Sequence, residues 1–142
     1  MQTSNLVKGQ EFKLGTKQFS KKEVIDFALL FDPLDFHINE EKAKKSIFKG
    51  LVCSGSQAFN YFYATHWIPL FGHSVVAGLS VNNWLFKLPI YAEDKITCSC
   101  KIDEISMLSD ENKMVITWFF EIFNSKGELA QSLELKILHR KN

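Results

Sequence analysis

The sequence predicts an α+β fold in which an antiparallel sheet packs on one apolar helix. Three features point to it. Ala58, Phe59, Tyr61, Phe62, Tyr63, Ala64, Trp67 and Ile68 leave their helix hardly any polar face, so it must be wrapped by protein. From Ser74 onward the pattern changes to a period of two, the alternation of half-buried antiparallel strands. Asp110-Glu111-Asn112 and Asn124-Ser125-Lys126-Gly127 then supply turns that link consecutive strands as hairpins. Curling such a sheet around the helix is the most economical way to bury both.

In chain order, Glu11-Phe12-Lys13-Leu14 predicts a short strand, and Ser20-Lys21-Lys22-Glu23 has the Ser-x-x-Glu form of a capping box. Val24, Phe27, Ala28 and Phe31 follow at helical spacing. Pro33 disfavours helix at its predecessor, so this helix should deliver Asp32 to its carboxyl-terminal edge. Asn39 is suited to cap a short charged helix through residues 40–45. Ser54-Gly55-Ser56-Gln57 has the form of a second capping box, with Ser54 as the N-cap of the apolar helix. Pro69 is expected to end or kink that helix near Trp67, giving about three and a half turns. A long β-rich run from Val75 to Leu88 comes next. Ile96, Cys98, Cys100 and Ile102 then alternate with polar residues, as do Met114, Ile116, Trp118, Phe120 and Ile122, and Leu133, Leu135 and Ile137.

The 142 residues, 46% hydrophobic, fit one domain spanning 1–142 with a sizeable core. Seventeen basic against sixteen acidic residues, a formal charge of +1, give no general electrostatic reason for nucleic-acid or membrane binding. The amino-terminal residues lack the apolar run of a signal peptide, and no segment approaches the roughly 20 apolar residues that span a bilayer. A cytoplasmic location is the expectation. Three irregularly spaced cysteines suit reduced thiols and complete no zinc pattern.

The stretch richest in chemistry is Asp32-Pro33-Leu34-Asp35-Phe36-His37, with Gly55 eighteen residues after the histidine. These spacings resemble those of the MaoC-like, or (R)-specific enoyl-CoA hydratase, branch of the hotdog superfamily. The similarity covers nearly the whole chain: a helix, an Asp/His loop, a Gly-led central helix, then a strand series. It implies a hotdog fold, a homodimer with acyl sites near the interface, and reversible hydration of a 2-enoyl thioester without metal or redox cofactor. The carrier would be coenzyme A or an acyl carrier protein. By the same resemblance, Asp32 and His37 match the two acid/base residues that act around one water, and Gly55 matches the backbone N–H of the oxyanion hole. Leu34 and Asp35 depart from the family's Asp-x-Asn-Pro-x-His and Asp-Pro-Gln-Pro-Phe-His loops, and Ser54 stands where His usually precedes the glycine. Glu93-Asp94 replaces a usual Gly-Asp turn.

The chemistry requires these residue types. Hydration needs a base to activate water for attack at C3, an acid to protonate C2, and donors for the enolate-like oxygen. A carboxylate such as Asp32 would equally suit a hotdog thioesterase, and the altered loop would suit an acyl-binding module without turnover. Cys53, Cys98 and Cys100 are expected to be buried structural thiols and His66 a core histidine. His73 and His139 are assigned to a loop and the tail. Trp84, Phe86 and Trp118 are core aromatics that could also line an acyl tunnel.

Overall fold

The computed structural model describes all residues 1–142. Five strands form one antiparallel sheet: β1 (Glu11–Gln18), β2 (Val75–Phe86), β3 (Lys95–Met107), β4 (Lys113–Phe123) and β5 (Leu129–Arg140), in the order β1-β3-β4-β5-β2. The period-two residues keep their promised face. Ile96, Cys98, Cys100 and Ile102 on β3, Met114, Ile116, Trp118, Phe120 and Ile122 on β4, and Leu133, Leu135 and Ile137 on β5 are all buried. They share one core with Ala58, Phe59, Phe62, Trp67 and Phe71 of the central helix. Each large side chain so buried contributes about 1.5–3 kcal/mol. No helix is long and apolar enough to cross a membrane.

Helix α1 (Lys21–Phe31) starts as predicted: the Ser20 hydroxyl accepts from the Glu23 N–H, and the Glu23 carboxylate accepts from the Ser20 N–H. Replacing Ser20 by alanine should therefore cost about 1 kcal/mol, read as a lowered urea midpoint with unchanged slope. Val24 and Ala28 are buried, but Phe31 stands exposed with Leu29 and Leu30, because the last turn of α1 lies clear of the core. Short helices α2 (Asp35–Ile38) and α3 (Glu40–Lys44) follow, the latter capped by the Asn39 side chain on the Lys42 N–H.

The central helix departs from expectation at both ends. It opens at α4 (Gln57–Phe62) with Ser56 as N-cap, and no side chain caps it. The Gln57 amide reaches Glu23 O at 3.0 Å instead of turning back to form a box, and the Ser54 hydroxyl is buried without a partner. Nor does Pro69 end the helix. Residues 63–67 form a π turn in which the Ile68 N–H donates to Tyr63 O, five residues back, and α5 (Ile68–Phe71) continues from it. Pro69 falls in the first turn of α5, where a missing N–H costs little.

The extra residue also turns His66 away from the core. It is half-buried, pairs with Thr65 Oγ1 at 2.7 Å, and sits against Gly15. Gly15 has φ +85° in a β1 bulge, and a Cβ there would lie 2.9 Å from the His66 ring, so the position requires glycine.

His139 is not a tail residue. It is fully buried on β5, where the Trp118 indole N–H donates to its Nε2 at 3.1 Å. Nδ1 must then carry the proton, which it donates to Ser74 Oγ at 2.8 Å, and Ser74 in turn donates to Phe71 O. The chain ties the π-turned helix to two central strands, and every polar atom in it is satisfied.

Candidate functional site

Asp32 and His37 meet because the chain turns sharply between α1 and α2. The Asp32 N–H closes α1 on Ala28 O at 2.7 Å, the Leu34 N–H bonds Asp32 O, and the His37 N–H bonds Leu34 O. Asp32 Oδ2 then lies 3.1 Å from His37 Nε2. The imidazole is 7% exposed and the carboxylate 36%, so one partner is fixed in the wall and the other opens toward solvent.

The ring is held on two further sides: His37 Nδ1 lies 2.7 Å from Val52 O, and Phe36 packs edge-on at 4.5 Å. A carbonyl only accepts, so Nδ1 carries a proton and donates it to Val52. The lone-pair edge of the neutral ring thus faces Asp32. At 3.1 Å that nitrogen and the carboxylate oxygen are within hydrogen-bond reach of one another, the separation over which an acid/base pair can pass a proton.

Gly55 lies two residues before α4, directly after the segment Leu51-Val52-Cys53-Ser54 that carries the Val52 carbonyl. Cys53 N–H donates to Ile90 O at 2.8 Å and Ala92 N–H to Leu51 O at 3.0 Å, which pins the segment to the chain after β2. The Gly55 N–H bonds no protein acceptor. His37 and Gly55 line one cavity of about 350 Å³ together with Phe48, Phe86, Pro89 and Gln131. A Cβ on Gly55 would lie 2.8 Å from the Phe86 ring, so glycine lets that ring close over the backbone. A larger hollow of about 600 Å³ lies at the β1 bulge, between β1 and β3, and holds none of these three residues.

The remaining chemically capable residues sort cleanly. Burial pushes the Cys53 and Cys100 thiols up to about 12 and raises Cys98 as well, so all three are neutral packing groups. Lys42 pairs with Asp35, and Lys44 with Glu40 and Glu41, as a solvated charged face does. Of Trp84, Phe86 and Trp118, only Phe86 lines the cavity, and Trp118 is core, packed on Phe71 with ring centroids 4.6 Å apart. Gln131 is the lining residue that sequence reading passes over. Its signal is present: it continues the inward series Leu133, Leu135, Ile137 of β5 as a polar member.

Comparison with known structures decides the fold. The chain superposes over its full length on the MaoC-like dehydratase from Rhodospirillum rubrum, with a TM-score of 0.89, 21% identity and 98% of that chain covered. It has the hotdog fold of the MaoC-like dehydratases. The (R)-hydratase from A. caviae involved in PHA biosynthesis is a further neighbour, with a TM-score of 0.73 and 24% identity over 95% of this chain and 98% of that one. In sequence, the chain is 29% identical over 133 residues to the uncharacterized protein YdeM of Bacillus subtilis (strain 168), covering 92% of each. No family model matches the sequence. In this hotdog fold, Ser54 stands where the motif that the sequence resembles has a histidine. Its hydroxyl has no partner to lose, so Ser54→Ala should leave thermal stability unchanged or slightly raised. A melting temperature lowered by several degrees would assign that hydroxyl a bond.

Proposed function

We propose that this protein catalyses reversible hydration of a 2-enoyl thioester to the 3-hydroxyacyl thioester. The observation that carries the reading is the Asp32–His37 contact of 3.1 Å, beside a cavity lined by His37 and by Gly55, whose N–H has no protein acceptor. In the hydration direction the dyad takes a proton from water as its oxygen bonds to C3, and returns a proton to C2. The Gly55 N–H meets the thioester oxygen as negative charge gathers there, a contact of the kind worth ~3 kcal/mol in the transition state. This geometry asks nothing of the Leu34 side chain, which is exposed, so the altered loop keeps the two groups that move protons.

The same reading includes a homodimer. Strand β2 ends the sheet, and Val76, Leu79, Val81, Leu85 and Phe86 are exposed along it. An unpaired edge of this length and apolarity needs a partner, and a second β2 supplies one. Sedimentation velocity should give twice the 16.3 kDa chain mass.

The deciding experiment follows loss of conjugated absorbance from short-chain 2-enoyl-CoA substrates while free thiol is monitored in parallel. Absorbance loss without thiol is the expected result. Thiol release from saturated acyl-CoA would make the protein a thioesterase. Silence in both signals across several acyl lengths and carriers would overturn catalysis and leave an acyl-binding module.

A further inference from the structure

Gln131 is only 3% exposed, on the face of β5 that also carries Leu133, Leu135, Ile137 and His139. It pairs across the sheet with Ile122 on β4 and Phe86 on β2, and its side chain lines the cavity shared by His37 and Gly55. One half of its amide has a structural task. The Trp84 indole Nε1 lies 3.3 Å from Oε1, and because an indole N–H can only donate, this contact fixes which end of the amide is oxygen.

The other half has none. Nε2 makes no hydrogen bond within the protein, although it carries two donors and stands in a wall formed largely by Phe48, Val52, Phe86, Leu88, Pro89 and Ile90. His139, the next residue after Ile137 on the same strand face, has both ring nitrogens satisfied. In addition to the backbone N–H of Gly55, Gln131 therefore leaves an oriented side-chain amide donor open at the cavity. A hydrocarbon packed against it strips the amide of water and returns nothing, whereas an acceptor oxygen restores the bond.

We infer that Gln131 is a specificity residue that selects an acyl thioester carrying an acceptor oxygen, a hydroxyl or an ether, beyond the reacting carbons. The inference rests on the proposed acyl-thioester site. Gln131 takes no part in the proton transfers. It sets which acyl group lies against Phe86 and Ile90 while Asp32 and His37 act.

Three isosteric probes test this: 2-hexenoyl-CoA, 4-methoxycrotonyl-CoA, which replaces one methylene by oxygen, and 5-hydroxy-2-pentenoyl-CoA, which replaces the terminal methyl. The wild-type protein should favour at least one oxygenated probe over the hydrocarbon by about tenfold or more in kcat/KM. Gln131→Leu should abolish that preference, chiefly by improving the hydrocarbon, and Gln131→Met provides the same readout should the branched side chain disturb packing. Equal kcat/KM for all three probes in wild type, or a preference that survives in both variants, would overturn the inference. The same probes are titrated by calorimetry. Should none be hydrated, a tenfold binding preference lost in Gln131→Leu upholds the selective role while the hydratase reading fails. Absence of any binding preference overturns the role.

Discussion

Asp32→Asn and His37→Ala are each expected to lower kcat/KM for enoyl-thioester hydration by about 10²–10⁴-fold. The two substitutions fail for different reasons. Asparagine keeps the shape of Asp32 but cannot take a proton, and Asp32 lies partly exposed at the end of α1, so the fold should be indifferent to it. Alanine at position 37 removes the proton carrier and also leaves Val52 O without its donor in a buried place, a loss of about 1–3 kcal/mol in stability. Steady-state kinetics with parallel urea melts separate the effects: Asp32→Asn should be inactive and stable, His37→Ala inactive and softened. Turnover within a few fold of wild type in Asp32→Asn would remove the carboxylate from the mechanism.

Between pH 6.5 and 4 the protein should lose about 3 kcal/mol of stability through His139 alone. Burial, with a smaller effect of the nearby His73, lowers the His139 pKa from its ordinary 6.5 to about 4. A proton on Nε2 would point at the Trp118 N–H, which already occupies that lone pair. The native state therefore refuses the proton across this window while the unfolded chain accepts it. Stability is full above the unfolded value, falls as the pH drops through the window, and stops falling from this source below about 4.

The carboxylates of Glu23 and Glu40, held low chiefly by hydrogen bonds from Lys17 and Lys21, add their losses only below the ordinary carboxylate range. The upper part of the window thus belongs to the histidine. His139→Gln can still accept from Trp118 and donate to Ser74, and its urea midpoint should be nearly flat from pH 6.5 to 5. A wild-type midpoint equally flat would refute the buried neutral imidazole.

How much of this was legible depends on the range of the interaction. Period-two burial on β3, β4 and β5 could be read from the chain because each residue's face follows from its neighbours two positions away. Asp32 and His37 could be paired through the resemblance of their spacing to a family loop, and they meet because a helix end and a short turn fix their separation locally. His139 could not be placed, since its partners Trp118 and Ser74 lie 21 and 65 residues away and meet it only through the sheet order. Gln131 escaped notice for the same reason: its cavity joins the Asp/His loop, the Gly55 segment and the chain after β2. The false capping box shows the converse. Ser54 and Gln57 have the right local spacing, but Glu23 O outbids the local bond once α1 is docked.

The π turn left a trace that a uniform helical spacing hides. Phe62 and Trp67, both fully buried, are five residues apart, while Thr65 and His66 occupy the positions an uninterrupted α-helix would bury. Its consequence concerns chain length. The amino end of the central helix sits under the Gly55 segment, and the carboxyl end is bound to β4 and β5 through Trp67, Phe71 and Ser74. One added residue lets each end adopt its own rotational phase. Loss or gain of a single residue within 63–67 would therefore re-phase one end against the other without altering a strand, so an alignment gap at this point marks a change in helix winding and not the loss of the Asp32, His37 and Gly55 framework.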